Sequence, residues 1–205
     1  MEQLFIFPFN GNGLEALLCI QNQYDFLGFI DDTPEKINKT EYGYMIFDRK
    51  ILKDFPKAKL LALPGSPKSF HLRKSIISNF NSDSKRYTNL IHPNASVSPF
   101  SKIGYNVVIM AGVVITANSV IGNHVCILPN TVIHHDSNVG DYSLLGSNVT
   151  IAGYVNIGEN CYIGSGVSVI NGVEIGSNSI IGIGTNVIRN INSNSKVVGN
   201  PGRNI

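Results

Sequence analysis

The chain has 205 residues, 43% of them hydrophobic and 20 of them glycine, with 16 Lys and Arg against 14 Asp and Glu, a length that suits one large domain or two small ones. Charged residues make up only 15% and the formal charge is +2 without basic blocks, so nucleic-acid binding is not expected. Met1-Glu2-Gln3-Leu4 lacks a basic n-region and no apolar run nears the roughly 20 residues that span a bilayer, so a cytoplasmic location without membrane insertion is expected. Cys19, Cys126 and Cys161 are odd in number and widely spaced in apolar surroundings, which predicts reduced packing residues rather than disulfides or a zinc site.

In chain order, short apolar runs alternate with helix-like stretches: Leu4 to Phe7, Leu14 to Ile20, Phe26 to Ile30, a helical Arg49 to Phe55, Leu60 to Leu63, and Phe70 to Phe80. That βαβ order predicts a small parallel sheet covered by helices, a Rossmann-like α/β domain over residues 1–88. Of the 30 charged residues, 22 lie in residues 1–90 and six in 91–191, so a second domain with a different surface is expected over residues 89–205.

That second stretch has a period of six. From Ile91 through Ile103, Ile115, Ile133, Leu145 and Ile163 to Val187, all seventeen positions spaced by six hold an aliphatic residue. Four residues after each stands something small or β-branched, and in eight cases the next residue is Gly, from Gly104 to Gly182. One inward aliphatic, one small inward residue and a glycine-tolerant turn predict one flat face of a triangular parallel β-solenoid, three units per coil and about 27 Å long. The pattern resembles the hexapeptide-repeat family, and that resemblance implies a left-handed parallel β-helix. Most Ile, Val and Gly residues here are scaffold.

One turn carries more than a scaffold needs, Ile133-His134-His135-Asp136-Ser137. Imidazole exchanges protons near neutral pH, and an adjacent carboxylate can fix its tautomer and raise its basicity, so a His-Asp pair on a rigid prism is a candidate general base. A hydrated polar turn is the plainer alternative. No metal is expected, because His71, His92 and His124 do not fall on one face with His134 and His135.

Gly28-Phe-Ile-Asp-Asp32, Ile91-His92-Pro93-Asn94-Ala95, Val132 to Asp136 with Val139-Gly140-Asp141, and Val198-Gly199-Asn200-Pro201 span nearly the whole chain. Together they resemble the bacterial acetyltransferases that act on nucleotide-linked amino sugars. The resemblance implies a homotrimer that uses acetyl-CoA to N-acetylate a sugar, of the 4-amino-4,6-dideoxy class, for lipopolysaccharide or other surface glycans. It implies His135 as base and Asp136 as its partner, with the Gly153 backbone N–H facing the oxyanion. Coenzyme A would lie between two subunits near Ser165 and Ile183, and Leu144 stands where relatives carry a second histidine beside the acyl group.

A parallel sheet binds ligands beyond the carboxyl ends of its strands. Asn10, Gly11, Asn12 and Gly13 after the first strand, Asp31 and Asp32 after the second, and Gly65 and Ser66 after a later one are therefore expected to converge on one nucleotide-sugar cleft. Pro8 has no N–H to offer a phosphate, and Asp31-Asp32-Thr33-Pro34 also reads as a plain turn and helix start. The competing functions are a sialic-acid-type O-acetyltransferase and a non-catalytic trimeric scaffold.

Overall fold

A computed structural model describes residues 1–205. The first part runs β1 (Glu2–Phe7), α1 (Gly11–Ala16), β2 (Tyr24–Ile30), β3 (Thr40–Glu41), β4 (Tyr44–Phe47), α2 (Ile51–Asp54), β5 (Lys59–Ala62) and α3 (Arg73–Ser78). Strands β4, β2, β1 and β5 lie parallel in that order, with β3 antiparallel on the outer edge of β4. The parallel sheet is as expected from the apolar runs. The two strands β3 and β4 were not anticipated, since they are two and four residues long and leave Tyr44 and Met45 exposed.

Both sides of the sheet are buried, which is why β1 is apolar at successive positions rather than alternating. Phe5, Phe7, Ile30 and Leu60 face Leu52 of α2 and Ile77 of α3. Leu4, Ile6, Phe29 and Leu61 face Ala16 and Cys19, and beyond them Leu90, Val108, Cys126 and Leu144 of the second part. The helices that cover the sheet are only four to six residues long, and the neighbouring β-solenoid does much of the covering in their place.

From Leu90 onward the chain winds as a triangular prism. Each two-residue strand pairs in parallel with the strand 18 residues later, as in Val114↔Val132 and Val132↔Thr150, so three hexads close one coil. The aliphatic positions and the small positions four residues on both point inward, forming a core of 23 buried residues. Most polar members of the second set are satisfied by the next coil, Thr185 being an exception: Thr131, Ser137 and Ser143 hydroxyls donate to the carbonyls of Gly146, Ala152 and Gly158. Cys161 occupies the same kind of position, and all three cysteines are buried and free. After Val187 the spacing contracts, Ile181 pairing with Val197, and Val198 turns back against Arg203.

The corners correct one sequence expectation. The turn does not depend on the glycine that follows each aliphatic residue. The positive φ falls two residues later, on Asn106, Asn118, Asn130, Asp136, Asn148, Asn160 and Asn178, and on Gly112, Gly166, Gly172 and Gly184. Asn, Asp and Gly tolerate this left-handed conformation best. The glycines just after the aliphatics are needed for clearance between coils: a Cβ on Gly140 would stand 2.5 Å from the carbonyl carbon of Gly158.

The three faces differ outside. The face bearing Leu90, Val108, Cys126 and Leu144 is buried against the first part. The second presents Ser96, Val114, Val132, Thr150 and Ser168, and the third Lys102, Val120, Asn138, Asn156 and Glu174. Arg73 of α3 locks the junction. Fully buried, it donates to the carbonyls of Tyr142 (2.8 Å), His124 (2.6 Å) and Pro64, and no carboxylate neutralises it.

Candidate active site

His135 and Asp136 stand on the corner between the second and third faces, the edge opposite the covered face. The corner geometry exposes them: Ile133 and Ser137 turn inward, Asp136 takes a φ of 58°, and His134 and His135 are left outside. His135 Nδ1 lies 2.8 Å from Asp136 Oδ2. An ionised carboxylate only accepts hydrogen bonds, so Nδ1 carries the hydrogen and Nε2 is left as the basic nitrogen. The bond from His135, with Asn118 Nδ2 donating to Oδ1 at 3.2 Å and the Tyr154 hydroxyl alongside, holds the Asp136 carboxyl below the usual carboxylate range.

The ring lies over Gly153 one coil on. A Cβ built there would stand 2.8 Å from His135 Cε1 and 3.0 Å from Nε2. The Gly153 N–H donates to no group within the chain, so a free backbone donor stands beside a free imidazole nitrogen. His134 takes the position that is Gly on many other turns, and its side chain has no partner, though its backbone pairs with Ile151 and Ser119.

The remaining candidates lie elsewhere on the chain. Ser165 and Ile183 sit on the edge between the covered and second faces, Ile183 being 77% exposed and Ser165 accepting the Ser147 N–H. Leu144 is buried on the covered face, where it floors a cleft of about 270 Å³ with Leu128, Tyr162, Asn10, Gly11 and Asn12. A second cleft of about 380 Å³ joins Asn10, Asp31, Asp32, Gly65 and Ser66, and the two share Asn10, Gly65 and Ser66. Gly13 is buried behind this rim and donates its N–H to Asn10 Oδ1, capping α1.

Both aspartates already have partners within the chain. Asp31 is buried and accepts from the Phe9 N–H, the Thr33 N–H and Lys36 Nζ. Asp32 forms a two-pronged pair with Arg49, whose guanidinium lies over Phe80. Lys36 is the cation that the sequence reading missed. Its Nζ also donates to the Phe9 carbonyl, and it lines the larger cleft. Its spacing of five residues from Asp31 was the available signal. No three His, Cys, Asp or Glu side chains gather as metal ligands, and no helix is long and apolar enough to cross a membrane.

Comparison with solved structures gives full-length matches. A GDP-perosamine N-acetyltransferase from Caulobacter crescentus, solved with CoA and GDP-perosamine, is 27% identical, with a TM-score of 0.86 over 100% of this chain and 97% of that one. Over its whole length, this chain is built like a sugar N-acetyltransferase. The acetyltransferase domain of PglB from Neisseria gonorrhoeae shares the fold at 24% identity, 100% and 99% coverage and a TM-score of 0.87. So does WeeI from Acinetobacter baumannii, at 21%, full coverage of both chains and 0.87. The family model described as the GMPPB C-terminal domain matches residues 86–181, the repeats alone. No curated protein sequence matches. The sugar N-acetyltransferase architecture thus extends to the sheet at the amino terminus, which the repeat model does not reach.

Proposed function

We propose that the chain transfers the acetyl group of acetyl-CoA to the amino group of a nucleotide-linked sugar, of the 4-amino-4,6-dideoxy class. The observation that carries this reading is the His135-Asp136 pair with its outward Nε2 over Gly153. The likeness to an enzyme solved with CoA and GDP-perosamine supports the substrate class.

In this mechanism His135 Nε2 takes the proton from the sugar amine as that nitrogen forms its bond to the thioester carbonyl carbon. Asp136 keeps the hydrogen on Nδ1 and stabilises the imidazolium. The Gly153 N–H donates to the oxyanion. The imidazolium then returns the proton to the departing CoA sulfur as the C–S bond breaks.

We read residues 1–88 as a reduced Rossmann-like unit that holds the nucleotide at Asn10–Gly13, Gly65 and Ser66, with Asp31 and Asp32 shaping the rim. Residues 89–205 are read as a left-handed β-helix. The clefts adjoin the covered face while His135 stands on the opposite edge, so one chain does not bring nucleotide cleft and base together. A cyclic trimer would supply one from each neighbour, with coenzyme A between subunits near Ser165 and Ile183. A cytoplasmic location follows from the donor, a cytoplasmic metabolite.

Thiol release from acetyl-CoA, measured against UDP-, dTDP- and GDP-linked amino sugars and free sialic acids, tests the reading. Turnover with a nucleotide amino sugar is expected. Turnover with sialic acid alone would replace this reading by O-acetylation, and none at all would leave a scaffold.

A further inference from the structure

Three prism corners carry bulky side chains at positive φ: His124 (59°), Tyr142 (61°) and Tyr154 (60°). Such residues adopt this conformation rarely, and only where the surroundings hold them in it. Two of the three have a packing reason. His124 and Tyr142 stack at 4.7 Å and pack with Tyr87 and Tyr105 at the junction with the amino-terminal sheet. Tyr154 has none, being 60% exposed.

Its surroundings are the reactive pair. The Tyr154 ring meets His135 edge to face, with centroids 5.2 Å apart and planes at 88°, and its N–H donates to the His135 carbonyl at 3.1 Å. Along this edge of the prism, corner residues stack at intervals of 18: Asn118, Asp136, Tyr154 and Gly172. Asp136 therefore has Asn118 on the coil before it and Tyr154 on the coil after it. Asn118 donates to one carboxylate oxygen while His135 takes the other.

We propose that Tyr154 is a positioning residue: its ring fixes the plane of the His135 imidazole and keeps it against Asp136, so that Nε2 stays over Gly153. Without Tyr154, an imidazole that is about half exposed can swing about χ2 and break its bond to Asp136, and only then exchange tautomers. As a role in catalysis, this rests on the acetyltransferase reading. The geometric part stands apart from it.

The test uses Tyr154→Asn, which installs the residue found more often than any other at the remaining corners, and Tyr154→Phe, which keeps the ring. Tyr154→Asn is expected to keep or raise the Tm. It should lower kcat on the order of 10-fold, with KM for acetyl-CoA within about 2-fold, while Tyr154→Phe recovers part of the loss. Independently of turnover, ¹⁵N spectra of the histidines should show His135 as a single Nδ1–H tautomer in the parent protein and as a mixture in Tyr154→Asn. Unchanged tautomer signals in Tyr154→Asn overturn the positioning role, as does a parental kcat where His135→Ala is inactive. A changed tautomer in a protein that releases no thiol with any nucleotide sugar would uphold the positioning and overturn the acetyltransferase reading instead.

Discussion

His135 supports no core contact and projects from a corner, so its removal separates chemistry from folding. His135→Ala is expected to lower kcat by about 100- to 10,000-fold, the usual worth of a general base, with the Tm and CoA affinity nearly unchanged. Asp136→Asn should cost less, since the imidazole stays while its tautomer loses an anionic partner. A crippled His134→Ala beside an active His135→Ala would reassign the base. Gly153 gives a sharper case. A Cβ there meets the movable tip of His135 rather than backbone, so Gly153→Ala should leave the melting temperature within a few degrees of the parent while turnover falls at least 10-fold. A normal rate in that variant would mean that the ring does not need its place over residue 153.

At the scale of the coil, the two glycine populations predict opposite outcomes. Gly140→Ala drives a methyl group into the backbone of Gly158 and Glu159 at 2.5–2.6 Å, so coils must part and the Tm should drop by several degrees. Gly172, at a φ of 73° with open space around it, accepts Asn, and Gly172→Asn should be thermally neutral; thermal melts of the two variants decide. The period of six was legible because inward positions must repeat. The corner was also legible, since Asn106, Asn118, Asn130 and Asn148 recur three residues after the aliphatics, but the glycines drew the turn away from it. So was the covered face: on every third strand the outward residue is apolar, as in Leu90, Val108, Cys126 and Leu144, and Ser, Thr, Asn or Lys are common on the others. That pattern sets Leu144 against the amino-terminal sheet. The proximity of His135, Asp136 and Gly153 could be read because His135 and Gly153 lie in one register, 18 residues apart.

The nest of carbonyls around Arg73 could not be read, because it is made by three segments that only the fold brings together. The same junction makes the whole molecule sensitive to acid. His124 Nδ1 accepts from Asn106 Nδ2, whose amide also pairs with Ala62 of β5. Burial first, and then the Arg73 charge, push the His124 imidazole down from 6.5 to about 4, against an opposing pull from Asp141. Between those values the unfolded chain binds a proton that the folded chain refuses. Stability is therefore full above about pH 6.5 and falls on acidification toward pH 4, by about 1–2 kcal/mol after allowance for solvent screening. His124→Asn should flatten the dependence of Tm on pH in that window, and an equally steep profile in the variant would clear His124 of the effect.

The placement of clefts and base on opposite sides of one prism has a genetic consequence. Two alleles that are each inactive should rescue one another. If the chain assembles as the proposed cyclic trimer, Ser66→Phe, which fills the cleft, and His135→Ala, which removes the base, each give an inactive assembly, but subunits mixed before assembly create some junctions where an intact cleft meets an intact histidine. Random equal mixing in a cyclic trimer leaves about one site in four whole, so co-expression should restore about a quarter of the parental activity. If each chain works alone, the mixture stays inactive.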